Sequence, residues 1–232
     1  MKLVNRFFIL FILYIIGLIF YTWRNLLIIK RDTYPEKNLY KDMIKTGDIF
    51  LMANTKNHKI FGDLIFMIDY FHPSIALWEE ERLYILEYAF YPNMEKFNKV
   101  PFNFWLRYNK NKKILHCPLH VPDEMIRKRL GKKINNFFVN NQEKINKLSS
   151  DLGFDWIRFI TRTTKDLKLK SISCTEVLAM LIYETGIARK NKGISYYHQS
   201  DFVQLKNFSL NEGFSYPKSY KCNLKYLIEN YI

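Results

Sequence analysis

Cysteine is scarce in this chain, and the few cysteines follow no pattern. Cys117, Cys174 and Cys222 are the three cysteines among 232 residues, and their spacing is irregular. An odd number of cysteines rules out a fully paired disulfide framework, and no Cys-x-x-Cys metal pattern is present. The chain also lacks internal repeats and low-complexity segments beyond a bias towards lysine and asparagine. A reducing compartment and one folded domain of about 200 residues fit these observations.

Acidic residues are in deficit. The chain has 22 Asp and Glu against 36 Lys and Arg, a formal net charge of +14. The lysines are spread along the chain with abundant Asn, Ile, Tyr and Phe, a bias typical of an A/T-rich genome. No RNA-binding aromatic signature accompanies them, so we expect no specific nucleic-acid site. We interpret the charge as a solvated basic surface, which would also attract anionic membrane lipid.

Long apolar runs are absent except near the N-terminus, where residues 7–23 contain no charged side chain. This run approaches the ~20 residues that cross a bilayer as a helix, so we predict a single-pass membrane anchor over residues 1–30. A cleaved signal peptide is the alternative, but Tyr21-Thr22-Trp23 offers no small-residue cleavage site. Basic residues are more numerous after the run than before it, which predicts a cytosolic location for the rest of the chain.

The remainder of the chain divides into a linker and a folded domain. The charged segment 31–45, which contains Pro35, predicts a linker, and we expect the folded domain over residues 46–232. Strands are predicted at four apolar segments: Ile49–Met52, His72–Trp78, Leu83–Phe90 and Leu115–Val121. Helices are predicted after Pro122-Asp123, over Phe154–Ile160 and from Ser173 to Gly186. The pattern indicates an α+β fold with a small antiparallel sheet packed on helices.

One cysteine begins the clearest predicted helix. Ser173 and Glu176 have the spacing of a capping box, which places Cys174 at the first helical position. The unpaired amides and the helix dipole at that end favour a thiolate, and the same amides could bind an oxyanion. A buried cysteine that merely starts an apolar helix is the alternative.

The predicted hairpin brings a histidine and a carboxylate together. A turn centred on Glu80 and Glu81 pairs His72 with Ala89 across the two strands. Glu87 then lies on the same sheet face as His72, on a diagonal of about 7 to 8 Å. An imidazole and a carboxylate can bridge that distance, so Glu87 is a candidate to orient His72 as a general base.

The candidate residues occur in short motifs whose order is informative: Thr46-Gly47-Asp48-Ile49, His72-Pro73-Ser74-Ile75, Leu86-Glu87-Tyr88, Ser173-Cys174-Thr175-Glu176 and Ser200-Asp201-Phe202. This succession resembles the circularly permuted papain-like family of the NlpC type, which includes bacterial YiiX-like proteins and relatives in poxviruses and other large DNA viruses. The resemblance implies Cys174 as nucleophile, His72 as base and Glu87 as the third residue. Ser173, Asp48 and Asp201 are expected to support the substrate, the oxyanion or the structure. A viral source is a further expectation.

The expected activity is that of a membrane-anchored thiol hydrolase or acyltransferase. It would act on an amide or ester bond in a peptide or lipid substrate through a thioester, without a cofactor. One alternative is an inactive membrane-anchored module of the same fold that binds lipid or protein, and another is a basic nucleic-acid-binding protein. His116-Cys117-x-x-His120 has too few neighbouring ligands for a metal site, so no metal is expected.

Overall fold

The computed structural model describes residues 11–19, 34–53, 72–150, 171–197, 199–203, 205, 207–223, 226 and 228–229. The strands are β1 (Glu36–Lys37), β2 (Ile49–Ala53), β3 (His72–Glu79), β4 (Arg82–Tyr88), β5 (Phe97–Pro101), β6 (Lys113–Cys117), β7 (Ser149–Ser150), β8 (Ser171–Ile172), β9 (Ala188–Arg189), β10 (Ser209–Leu210) and β11 (Tyr220–Cys222). The α-helices are α1 (residues 11–19), α2 (Phe102–Tyr108), α3 (Glu124–Lys147) and α4 (Cys174–Glu184). Short 3-10 helices cover Lys41–Met43, Ile194–Tyr196 and Gln199–Phe202.

The main sheet has the strand order β1-β11-β6-β2-β3-β4-β5. Its neighbouring strands are antiparallel except for β1 and β11, which are parallel. Within the described residues, β7 pairs with β8 and β9 with β10 outside this sheet. The α+β class is therefore confirmed, but the sheet is larger than the small sheet expected from the sequence.

The β3–β4 hairpin has the register predicted from the sequence. Ile75 pairs with Leu86 and Glu79 with Arg82. The turn residues Glu80 and Glu81 have φ angles of +46° and +64°. Two left-handed residues are what a two-residue type I′ turn requires, because its twist matches that of the flanking strands. The hairpin therefore closes without a bulge and keeps the predicted pairing.

Both faces of the sheet are covered by apolar side chains. Strand β2 shows this directly, because Leu51 belongs to the core beneath α3 and α4 whereas Phe50 and Met52 belong to the core beneath α2. Successive strand residues point to opposite faces, and every residue of β2 is buried. The uninterrupted apolar run of this strand therefore reflects its central position.

The segment expected to be a linker contributes to the folded domain. Glu36–Lys37 forms the edge strand β1, and Leu39 and Ile44 are buried in the core beneath α2. The boundary at Thr46 is therefore too late. The sequence prediction missed this contribution because the two buried side chains lie in a short segment rich in Lys, Asp and Glu, with no apolar run of strand or helix spacing.

The two long helices begin as their sequences predict. The carboxylate of Asp123 caps α3 by accepting a hydrogen bond from the amide of Met125 at 2.9 Å. Helix α4 has the complete capping box between Ser173 and Glu176, and Gly186 follows its last turn with a φ of +79°. A left-handed glycine just after a helix ends it at little cost.

Two predicted segments are described only in part or not at all. Residues 11–19 are helical and expose large apolar side chains such as Phe11 and Leu13. In the described ranges, no helix has the length and apolar character needed to cross a bilayer. Most of the predicted anchor, and all of the predicted helix Phe154–Ile160, lie outside those ranges and stay predictions.

Candidate functional site

Glu87 is a buried carboxylate with three side-chain partners. Its Oε2 lies 2.9 Å from Nε2 of His72 and accepts a hydrogen bond of 3.3 Å from the indole of Trp105. Its Oε1 accepts a hydrogen bond from the hydroxyl of Tyr91. Glu87 is only 2% exposed, so these partners replace the water that a buried carboxylate loses. Both carboxylate oxygens are thereby held in place.

Strand alternation and the position of α2 explain this arrangement. Ile85 faces the core beneath α2, and Glu87, two residues later on β4, faces the same side. Trp105 lies on the buried side of α2, directly over that face, and is 1% exposed. Tyr91 reaches Glu87 from the segment that follows β4. The carboxylate therefore lies between a strand, a helix and the chain leaving the strand.

His72 connects Glu87 to the helix that carries Cys174. It is the first residue of β3, and its side chain is 22% exposed. Burial by itself lowers the pKa of His72, but hydrogen bonds to Cys174 and Glu87 and the negative charges of both residues outweigh it and raise the pKa from 6.5 to about 10. Nε2 faces Glu87, and Cys174 is the second side-chain hydrogen-bond partner of the ring.

Cys174 is the first residue of α4 and is half-buried. The hydroxyl of Ser173 accepts a hydrogen bond of 3.3 Å from the amide of Glu176, whose carboxylate accepts one of 2.9 Å from the amide of Ser173. This capping box sets the direction in which α4 leaves the preceding chain. The thiol therefore lies at the positive end of the helix dipole and beside an imidazole.

The three supporting residues predicted from the sequence make contacts with the surrounding chain. Ser173 caps α4, and Asp201, which is buried, accepts a hydrogen bond from the side chain of Asn207. Asp48 accepts hydrogen bonds from the amides of Lys45 and Leu119, each at 2.9 Å. These bonds hold loops and a helix end, and the roles expected for the three residues stay predictions.

Asp48 also pairs with His116, a residue to which the sequence analysis assigned no role. Oδ2 of Asp48 lies 2.7 Å from Nε2 of His116, and both side chains are buried. The neighbouring Cys117 accepts a hydrogen bond of 3.1 Å from the hydroxyl of Ser219. The described residues contain no group of three or more His, Cys, Asp and Glu side chains that could hold a metal ion.

Sequence reasoning missed Tyr91 and Trp105. Tyr91 follows Glu87 by four residues and Trp105 by eighteen, and neither belongs to a motif that was recognised in the sequence. An isolated buried carboxylate in an apolar strand was the available signal, because such a group requires donors. The sequence does not indicate which of its many aromatic residues supply them.

Comparisons with known proteins give distant structural likenesses. No family model matches the chain, and no curated protein matches it. A solved structure from Escherichia coli O157:H7, described as the metalloprotein YiiX, is similar to 77% of this chain and to 99% of its own, with 12% identity and a TM-score of 0.40. At this level the likeness assigns no role to any residue.

Proposed function

We propose that the chain is a thiol hydrolase or acyltransferase in which Cys174, His72 and Glu87 act together on an amide or ester bond. The observation that carries the proposal is the position of His72, whose ring lies 2.9 Å from the carboxylate of Glu87 and hydrogen-bonds to Cys174 at the start of α4. A raised pKa keeps a proton on the imidazole, which a general acid needs, and the thiolate is the nucleophilic form of a cysteine.

The reaction would proceed in two steps. The Cys174 thiolate attacks the carbonyl carbon, and His72 gives its proton to the departing amine or alcohol, which leaves a thioester. His72, which is now neutral, takes a proton from water or another acceptor as that acceptor attacks the thioester. The intermediate then expels the Cys174 thiolate, which restores the thiolate and the protonated imidazole. Glu87 would hold the ring and stabilise its positive charge throughout, as the third residue of a triad does.

The second part of the proposal concerns location. We infer that the apolar N-terminal segment anchors the chain in a membrane, with the rest of the chain in the cytosol. The support is the charge-free run over residues 7–23 and the exposed apolar side chains of α1. An anchored enzyme would meet substrates held at the bilayer surface, so a lipid or lipid-linked peptide is the substrate class that fits.

The test is alkylation of the full chain in detergent micelles with iodoacetamide over a range of pH, with each cysteine followed by mass spectrometry. We expect Cys174 to react fastest and at a lower pH than the other two cysteines. Cys117 is buried and hydrogen-bonded, and burial raises the pKa of Cys222, so both serve as internal references.

Two variants complete the experiment. His72→Ala is expected to abolish the rapid alkylation of Cys174, whereas His120→Ala, which alters an exposed histidine, is expected to leave it unchanged. If Cys174 reacts no faster than Cys222 and does not respond to the loss of His72, the catalytic proposal is wrong. A binding module of the same fold would then be favoured.

A further inference from the structure

Helix α2 has an apolar side that faces the core and a second apolar side that faces solvent. Trp105 and Leu106 are buried, whereas Phe104 and Tyr108 are 45% and 47% exposed. Phe104 and Tyr108 are one helical turn apart, and their rings stack with centroids 6.4 Å apart. Packing against the core explains the apolar residues on the buried side of α2. It does not explain the two stacked aromatic rings on the exposed side.

The exposed apolar side chains continue into the segment that follows β4. The ring of Tyr91 contacts those of Phe104 and Tyr108 at centroid distances of 5.7 Å and 4.5 Å. Phe90 and Met94, on either side of Tyr91 in the chain, are 51% and 40% exposed. We call Phe90, Met94, Phe104 and Tyr108 the aromatic surface.

Positive charge borders this surface. Glu95, which follows Met94, is exposed, but no Asp or Glu occurs between it and Asp123, whereas Arg107, Lys110 and Lys113 are exposed on α2, the turn after it and the first position of β6. The ammonium group of Lys112 lies 5.9 Å from the centre of the Tyr108 ring. The partner that complements this surface is therefore apolar in its middle and negatively charged around it.

We propose that the aromatic surface docks on a bilayer that contains anionic lipid. Phe and Tyr rings enter the boundary between headgroups and acyl chains, and each nearby Lys or Arg adds attraction to anionic headgroups. Single-stranded nucleic acid would also suit cations and aromatic rings. Here, however, the rings of Phe104 and Tyr108 stack on each other, and each also makes an edge-on contact with Tyr91, so that less of their faces is open to a base.

This inference goes beyond the proposed function and does not depend on it, since a catalytically inert chain would bind lipid equally well. It also differs from the N-terminal anchor, because it concerns the folded domain. The aromatic surface is connected to the candidate site through Tyr91, which contacts Phe104 and Tyr108 and donates a hydrogen bond to Glu87. Docking would therefore bring the bilayer next to the candidate site.

The test uses the full chain in nanodiscs of phosphatidylcholine, with or without phosphatidylserine, each spiked with a photoactivatable lipid of the same headgroup. After irradiation, cross-linked peptides are counted by mass spectrometry. We expect the segment 102–113 to cross-link to phosphatidylserine, and Lys110→Glu with Lys113→Glu to reduce the yield at least tenfold, since each cation contributes roughly a factor of five. Phe104→Ser with Tyr108→Ser is expected to reduce it similarly.

Lys128→Glu with Lys132→Glu is the matched control, because it makes the same charge change at exposed positions of α3. It is expected to leave cross-linking of residues 102–113 unchanged, and circular dichroism checks that each variant folds. Equal losses in the two charge variants, or no cross-links at 102–113, would overturn the proposal. Cross-linking of this segment to oligothymidylate but not to lipid would overturn it in favour of nucleic acid.

Discussion

Tyr91 donates a hydrogen bond to the carboxylate oxygen of Glu87 that faces away from His72. Burial raises the pKa of Tyr91 well above its ordinary value, and the negative charge of Glu87 raises it further. The phenol therefore stays protonated and remains a donor. The hydrogen bonds from Tyr91 and Trp105 fix the orientation of the Glu87 carboxylate, and in this orientation Oε2 of Glu87 faces the imidazole of His72.

Tyr91→Phe tests this relationship. The change removes one donor from a buried carboxylate, so we expect the free energy of unfolding to fall by about 1 to 3 kcal/mol. Alkylation of Cys174 should slow at the same time, because Glu87 holds His72 less firmly. Urea denaturation and iodoacetamide labelling measure the two effects. Tyr108→Phe removes an exposed phenol as the matched control, and a loss of the same size there would contradict the assignment.

The pH dependence of stability tests the environment of His72. The pKa of this histidine is raised from 6.5 to about 10 on folding. Its contribution to the free energy of unfolding is therefore complete below pH 6.5 and disappears as the pH rises through 10. We expect the difference in stability between the unaltered chain and His72→Gln to shrink over that interval in urea denaturation. A difference that grows with pH would contradict the raised pKa.

His116→Ala tests the structural role of the buried pair with Asp48. Removing the imidazole leaves a buried carboxylate with backbone donors alone, so we expect a loss of about 3 kcal/mol in the free energy of unfolding. His120→Ala is the control, because His120 is exposed, and a change of less than about 0.5 kcal/mol is expected there. The alkylation rate of Cys174 in folded His116→Ala should be unchanged. A slower alkylation of Cys174 in this variant would assign His116 to the candidate site instead.

Ser173→Ala tests the capping box at the start of α4. Loss of the hydroxyl that accepts from the amide of Glu176 should lower the free energy of unfolding by about 1 kcal/mol. Because the cap positions Cys174, its alkylation rate should also fall. Ser215→Ala, at an exposed position, provides the comparison. Unaltered stability in both variants would show that the cap does not support the helix end.

Local features were predictable from the sequence. The β3–β4 register follows from a two-residue turn at Glu80 and Glu81, because the pairing of a hairpin is set by its loop length. The start of α4 follows from Ser173 and Glu176, which are three residues apart and satisfy each other's amides. Each of these interactions joins residues close in sequence, so the chain determines them without reference to the rest of the fold.

Interactions between distant segments were decided by the tertiary structure. The sequence placed Glu87 on a strand but did not select Trp105 as its donor, and it placed Glu36–Lys37 in a linker rather than beside β11. Asp48 and His116 are 68 residues apart, and they meet because β2 and β6 are neighbours in the sheet. Such partners are chosen by the packing of whole elements, because a buried polar group accepts whichever donor that packing brings within reach.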